Sequence, residues 1–203
     1  MAGTLRVDAV RNRARVLAAA REVHSEDGRQ LAVQDVARRA GVGVGTIYRH
    51  FGTREGLLDA VALSFFEEAL ALARAVERER EPGDRLAAFV HGFFGALAEH
   101  GVPGHCSWDA PASAPVRAEL RDLLARFVSD GQHAGAVRPD LTTEDAAVAI
   151  WTVVMLVDAT RAPEIWQRHL ALVLDGFRAD GRGPLDAAPF SRAAWDAART
   201  TIR

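Results

Sequence analysis

The chain has 203 residues, of which 49% are hydrophobic and 26% are charged, with a formal net charge of -2 at pH 7. This length can bury a core without covalent staples, and Cys106, the single cysteine, excludes an intramolecular disulfide framework. The most apolar run, residues 146–157, is too short to cross a bilayer, so we expect a cytoplasmic protein that has no membrane partner.

Charge is distributed unevenly along the chain. Residues 1–54 carry ten arginines against five acidic residues, whereas residues 55–203 carry fifteen arginines against 22 acidic residues. A basic head on an acidic body is the asymmetry expected when one end of a protein binds a polyanion. A chance imbalance on solvated faces is the alternative interpretation.

Three helices are predicted in the basic head. Apolar residues at helical spacing indicate a first helix over about residues 7–27 and a second over residues 33–40. Gly41 can end the second helix in a left-handed conformation. After a tight turn, a third short helix begins near Val44.

The glycine-rich stretch GVGVG at residues 41–45 is consistent with two functions. A dinucleotide-binding loop needs a strand before the glycines, but the residues before them are helical, and the third glycine comes too early for GxGxxG. Two helices joined by a short glycine-containing turn instead predict a helix-turn-helix unit, whose second helix enters the major groove of DNA.

The second helix of this unit carries polar side chains that can donate hydrogen bonds to phosphate oxygens. They belong to Thr46, Tyr48, Arg49 and His50. Gly43 and Gly45 remove side chains at the helix start, which allows close approach and leaves backbone N–H groups free. The alternatives are a half-buried core position for Tyr48 and an ordinary solvated face for the two basic residues.

Five more helices are predicted in the acidic body, because apolar residues recur there at helical spacing. They cover about residues 54–80, 84–100, 116–128, 142–159 and 163–179. Thr142 and Pro163 are suited to begin the last two. The stretches 101–115 and 135–140 and the tail from Gly181 have the composition of loops. Since no alternating strand of convincing length is present, the predicted fold class is all-α.

The stretch LAVQDVARRAGVGVGTIYRHFGTREGLLDAV, residues 31–61, resembles the DNA-binding signature of the TetR (tetracycline repressor-like) family of transcriptional regulators. The resemblance implies phosphate contacts from Thr46, Tyr48, His50 and Arg54, and base reading around Gln34, Gly43, Val44, Gly45 and Arg49. Ala32 departs from the family pattern, which usually has a Thr or Ser there that caps the second helix and often touches phosphate.

The resemblance also implies an overall organisation. It predicts a helix-turn-helix DNA-binding domain at residues 1–54 and a helical ligand-binding and dimerisation domain at residues 55–203. The expected partners are double-stranded operator DNA, a second copy of the chain in a homodimer, and an unknown small-molecule effector. The expected function is a repressor that this effector releases from its operator. A transcriptional activator and a helical protein-interaction module that does not bind DNA are the alternatives.

The last two predicted helices of the body are candidates for the dimer interface. Residues 146–157 are apolar nearly all round, so this helix needs cover on every side, from its own core or from a second chain. The next helix carries an apolar stripe. The interface residues predicted from that stripe are Trp166, His169, Leu170, Val173 and Phe177. A monomer in which both helices lie in the core is the alternative.

Polar groups within apolar stripes predict a mostly apolar ligand pocket, suited to a small aromatic or lipophilic compound. The predicted pocket residues are His91, Phe93, Phe94, His105, Cys106, Trp108, Phe127, Trp151, Met155 and Asp158. The adjacent pair His105 and Cys106 lacks a second spaced pair, so neither a metal nor another cofactor is predicted. The sequence contains no GxSxG, HExxH or P-loop motif, and we expect no enzyme activity.

Overall fold

A computed structural model describes residues 2–27, 31–100, 110–160, 162–180 and 183–199. The predicted pocket residues His105, Cys106 and Trp108 lie outside these ranges. Within the ranges the chain forms nine α-helices, and its only β-type pairing is an isolated bridge between Val137 and Arg178. The predicted all-α fold class is therefore confirmed. The helices are α1 (Ala2–Asp27), α2 (Val33–Ala40), α3 (Val44–Phe51), α4 (Arg54–Glu79), α5 (Arg85–His100), α6 (Ala114–His133), α7 (Thr143–Thr160), α8 (Pro163–Phe177) and α9 (Arg192–Arg199).

The chain packs as two compact units, and both include parts of α4, α5 and α6. The head unit comprises the chain up to Leu70 together with Gly95–Ala118, and the body unit comprises Ala71–Phe94 and Glu119–Arg203. The packing boundary therefore lies within α4, after Leu70. The division expected between residues 54 and 55 separates functions instead, and it stays a prediction.

The head unit is built around one apolar cluster to which α1, α2, α3 and α4 all contribute. Val16, Val36, Ile47 and Leu57 are fully buried in it, one from each of these helices. The side chains around them are small, mainly Ala and Val, so short helices can approach closely. The resulting core fixes α3 against α1, α2 and the first turns of α4.

The body unit has an aromatic centre. Phe89 packs against Phe93 and Phe127, with ring centroids 5.9 and 6.0 Å apart. Phe94 packs edge-on against Phe93 at 5.3 Å and stacks with Trp166 at 6.1 Å. Aromatic side chains bury large apolar areas, so these contacts between α5, α6 and α8 supply much of the body's hydrophobic core.

The predicted cap of α7 is confirmed. The N–H of Asp145 donates to Oγ1 of Thr142 at 3.1 Å, and the N–H of Thr142 donates to Oδ2 of Asp145 at 2.9 Å. This reciprocal pair satisfies donors that a helix start otherwise leaves without partners. The start of α7 is therefore fixed by its own local sequence.

The loop between α6 and α7 holds the segment that follows α8. The guanidinium of Arg138 forms an ion pair with Asp140 and also donates to the carbonyl of Gly183 at 2.9 Å. The N–H of Leu185 donates to Oδ2 of Asp140 at 2.7 Å. The hydrogen bonds from Arg138 and from the Leu185 amide lower the pKa of Asp140 to about 2 from 3.8. Asp140 is thus a charged anchor for this part of the tail at neutral pH.

The prediction that the tail from Gly181 is a loop is wrong for α9. This eight-residue helix is rich in alanine, a strong helix former, and the N–H of Ala194 donates to the Ser191 hydroxyl at 3.2 Å. Isolated helices of this length are marginal in water. Trp195 packs edge-on against Trp151 of α7 at 5.3 Å, and this tertiary contact stabilises α9.

Within the described ranges, no helix combines the length and hydropathy needed to cross a membrane. The same residues contain no group of three or more His, Cys, Asp or Glu side chains arranged to hold a metal ion.

Candidate nucleic-acid interface

The turn between α2 and α3 depends on one left-handed glycine. Gly41 follows α2 with φ 64°, a conformation that costs other residues free energy. Its N–H donates to the carbonyl of Arg38 at 3.3 Å, and the N–H of Val42 donates to that of Ala37 at 3.0 Å. These bonds satisfy the last carbonyls of α2 as a glycine C-cap does. The chain then enters α3 within three residues.

α3 has one buried side and one exposed side. Ile47 is 1% exposed and anchors the helix in the head core, and Val44 and Phe51 are partly buried against the same core. Most of the remaining side chains face solvent. Tyr48, Arg49 and His50 are exposed, and Thr46 is half-buried. The structure therefore presents together the polar groups that the sequence predicted.

Gly43 and Gly45 lie in open space at the start of α3. A Cβ built on Gly45 would meet no atom within 4 Å, and one on Gly43 would only reach Oγ1 of Thr46 at 4.0 Å. The head's own packing therefore does not require glycine at either position. The missing side chains leave α3 accessible to another molecule along its first turn. Gln34, also predicted to read bases, is exposed on α2.

Arg54 is tied to the protein by one of its nitrogens. Its Nε donates to the carbonyl of Leu31 at 3.0 Å, which links the start of α4 to the residues just before α2. The side chain is 38% exposed, and its Nη1 lies 3.9 Å from a carboxylate oxygen of Glu55. Arg54 thus holds two helices in register while part of its guanidinium remains accessible.

A second arginine joins α1 to α4. The guanidinium of Arg21 forms a bidentate pair with Glu68 at 2.8 and 2.9 Å, and its Nη2 also donates to the Ser64 hydroxyl at 2.7 Å. Two parallel hydrogen bonds fix orientation as well as distance. Arg21 and Glu68 lie 47 residues apart in the sequence, and no local pattern in the sequence indicated this contact.

The start of α2 lacks a side-chain cap at Ala32, as its sequence implies. The carbonyl of Ala32 still accepts the N–H groups of Asp35 and Val36 at 3.0 and 3.2 Å. The hydroxyl that the resemblance leads one to expect at this position, with its phosphate contact, is therefore absent from the candidate interface.

The residues predicted to line a ligand pocket have different environments in the body unit. Phe93, Phe94 and Phe127 are buried in the aromatic centre, and Met155 is half-buried on α7. Trp151, also half-buried, contacts α9. His91, by contrast, is exposed on α5. Asp158 lies in α7, and its side chain is outside the described part of the structure.

The residues predicted at a dimer interface also divide by burial. Three of them, Trp166, Leu170 and Phe177, are buried within a single chain, where Trp166 stacks on Phe94. His169 and Val173 are half-buried. The most exposed large apolar side chains of α8 are instead Ile165, at 47%, and Leu172, at 56%. These two lie seven residues apart and therefore share one face of the helix.

Two family models match the chain. The first, described as bacterial regulatory proteins of the tetR family, matches residues 16–61. The second, described as the C-terminal domain of SbtR-like transcriptional regulators, matches residues 81–179. The first match contains α2 and α3 and the exposed polar residues between Gly43 and Arg54.

Curated relatives and solved structures agree with these matches. The transcriptional regulator UidR of Escherichia coli K12 is 27% identical over 161 residues, 70% of this chain and 78% of UidR. The transcriptional repressor KstR2 of Mycobacterium tuberculosis is 26% identical over 188 residues, 83% of this chain and 94% of KstR2. The crystal structure of a TetR regulator from Mycobacterium vanbaalenii matches with 29% identity and a TM-score of 0.59, covering 86% of this chain and 99% of that one.

Proposed function

The chain belongs to the tetR family of bacterial regulatory proteins and is a DNA-binding transcriptional regulator, and from this premise we propose that it represses transcription as an effector-released homodimer. The observation that carries the proposal is the division of α3 into a buried anchor, Ile47, and an exposed row of hydrogen-bonding side chains. A helix held in this way can enter the major groove while its core contacts stay intact.

The contacts divide into positioning and reading. Thr46, Tyr48, His50 and Arg54 donate to phosphate oxygens and set the register of α3 on the duplex. Base edges are read by the exposed side chain of Arg49, which suits the acceptors of guanine, and by the other residues near the groove floor. Those other residues are Gln34, Gly43, Val44 and Gly45.

Dimerisation through α7 and α8 would place two heads on one duplex, so that each reads one half-site. The exposed pair Ile165 and Leu172, flanked by the half-buried His169 and Val173, supports α8 as a contact surface. The buried residues Trp166, Leu170 and Phe177 would then contribute indirectly, because they pack α8 against the body core.

The effector would be a small, mostly apolar compound bound in the body unit beside its aromatic centre. The half-buried Trp151 and Met155, together with Phe93, Phe94 and Phe127, which are buried in the single chain, would supply the apolar and aromatic surface for such a compound. Because α4 belongs to both units, a change at its body end reaches the head through one continuous helix. Repression, rather than activation, is favoured by the function named for KstR2, and the DNA target implies a cytoplasmic location.

The proposal is tested by measuring how tightly the protein binds a DNA duplex taken from the region upstream of its own gene. Fluorescence anisotropy at several salt concentrations measures this binding. Arg49→Ala should weaken the binding free energy for that duplex by about 1–3 kcal/mol and change that for a scrambled duplex little, because it removes a base contact. Tyr48→Phe should weaken binding to both duplexes by a similar factor, because it removes a phosphate contact. Arg78→Ala, which removes an exposed arginine of α4 in the body unit, is the matched control. Equal binding by all four proteins would refute the proposed role of α3.

In vitro transcription from a template that carries the same duplex tests repression. The wild-type protein should lower transcript yield, and Arg49→Ala should not. An increase in transcript with the wild-type protein would establish activation instead.

A further inference from the structure

Arg15 of α1 contacts the turn of the helix-turn-helix unit. Its Nη2 donates to the carbonyl of Ala40, the last residue of α2. Its Nη1 lies 3.5 Å from Oδ1 of Asn12. A Cβ at residue 41 would lie 2.8 Å from Nη2 of Arg15. In its present position the guanidinium therefore lies closer to residue 41 than a Cβ there would allow.

The position of this contact matters for α3. The last carbonyls of a helix lack partners within the helix and carry the negative end of its dipole, so a guanidinium there forms a charge-assisted hydrogen bond. Only three residues separate Ala40 from Val44, the first residue of α3. The contact of Arg15 with the end of α2 therefore lies close to the start of α3 along the chain.

A second arginine of α1 contacts the C-terminal end of α3. The guanidinium of Arg13 lies 6.0 Å from the ring centroid of Phe51, the last residue of that helix, which is within the range of a cation–π contact. Arg15 therefore connects α1 to the end of α2 that precedes α3, and Arg13 connects α1 to the last residue of α3.

We propose that Arg15 is a positioning residue for DNA sequence discrimination: it fixes the angle at which α3 meets base edges, and it does so without contacting DNA. The inference rests on the proposed role of α3 in reading bases. Base contacts require closely defined geometry, whereas phosphate attraction tolerates small displacements. Loss of Arg15 should therefore reduce specific binding more than non-specific binding.

The test uses two duplexes and four proteins for the binding measurements, and a fifth protein, Arg15→Gln, for a check of folding. The specific duplex is one that the wild-type protein enriches from a random-sequence pool, and the non-specific duplex is its scrambled version. Wild type is compared with Arg15→Met, which removes the donor, and with Arg15→Lys, which retains a charged donor for the Ala40 carbonyl. Arg78→Met removes the same charge from α4 in the body unit, outside the head unit, and controls for net charge.

We expect Arg15→Met to lower the ratio of specific to non-specific affinity about tenfold, equivalent to about 1.4 kcal/mol, on the scale of a hydrogen bond to a charged group. Arg15→Lys should recover most of the ratio, and Arg78→Met should leave it unchanged. The slope of log K against log salt should stay the same in Arg15→Met, because no phosphate contact is lost.

Three results would overturn the proposal. The first is an unchanged ratio in Arg15→Met. The second is a slope reduced by about 1 with equal losses on both duplexes, since this marks a direct phosphate contact. The third is loss of the wild-type circular dichroism spectrum in both Arg15→Met and the milder Arg15→Gln, because Arg15 would then serve folding. If the wild-type protein enriches no sequence from the pool, the proposed function itself fails.

Discussion

Leu172→Glu separates dimerisation from folding. Leu172 is 56% exposed in the single chain, so its replacement by a polar residue should change the stability of the monomer by no more than about 0.5 kcal/mol. Full burial of a leucine side chain contributes about 1.5–3 kcal/mol. Burying the exposed 56% of this side chain at a twofold interface would thus contribute about 0.8–1.7 kcal/mol per copy, or about 1.7–3.4 kcal/mol per dimer.

Loss of that contribution should raise the dimer Kd about 20- to 300-fold, and the two buried carboxylates should raise it further. Sedimentation velocity over a concentration series measures the Kd, and circular dichroism checks the fold. Leu185→Glu changes an equally exposed leucine of the tail and should leave the Kd unaltered. Leu170→Glu places a carboxylate at a position only 5% exposed and should unfold the body instead. A wild-type Kd in Leu172→Glu, or a monomeric wild-type protein at micromolar concentration, would refute the reasoning.

Three further predictions concern the head, the aromatic centre and the tail. Ile47→Ala should destabilise the head by about 2–5 kcal/mol, measured by urea denaturation, and an unchanged midpoint would contradict the role of Ile47 as the anchor of α3. Phe93→Ala should shift the effector concentration needed for release while effector-free DNA affinity stays constant, measured by anisotropy with a compound found by thermal-shift screening. Because Phe93 also packs in the body core, circular dichroism checks the fold, and loss of effector-free DNA binding by a variant that keeps the wild-type spectrum would contradict this. Asp140→Asn should speed hydrogen exchange of the Leu185 amide at pH 7. The folded-state pKa of Asp140 is lowered to about 2 from 3.8, so its contribution to stability is present above about pH 4 and is lost as the pH falls towards 2. If the Leu185 amide of the wild-type protein stayed equally protected from exchange through this pH window, the contact would be contradicted.

Helices α1 to α8 are predictable because each carries its own local signals. The left-handed Gly41 ends α2, the reciprocal Thr142 and Asp145 pair begins α7, and the apolar spacing in α5 marks the side that is buried. These signals depend on residues within one or two turns of each other. The exposed polar row of α3 was predictable for the same reason.

Long-range packing was not predictable from such local signals. The apolar stripe of α8 led to the prediction of Trp166 at the dimer interface and left out Ile165, yet Trp166 is buried against Phe94 of α5, while Ile165 remains exposed. The stripe shows which residues need cover but not which neighbour supplies it. For the same reason α9 was missed, since its stability comes from Trp151 of α7, 44 residues before Trp195.

The contacts of arginine side chains in the head were also not predictable from the sequence. Arginine at residues 15, 21 and 54 was counted as positive charge available to DNA, yet each donates to a protein acceptor far away in sequence. A guanidinium has five donors, so one arginine can position helices and still retain donors for a phosphate. Charge counts alone do not separate these functions.

Selection of duplexes from a random-sequence pool by the wild-type protein tests the central claim, sequence-specific DNA binding by a dimer, most directly. We predict enrichment of an inverted repeat whose half-sites lie about one helical turn, or a multiple of it, apart, because two identical heads must read them together. The affinity for the enriched duplex should exceed that for its scrambled version by about a thousandfold or more. Enrichment of no sequence, or equal affinity for the two duplexes, would contradict the account.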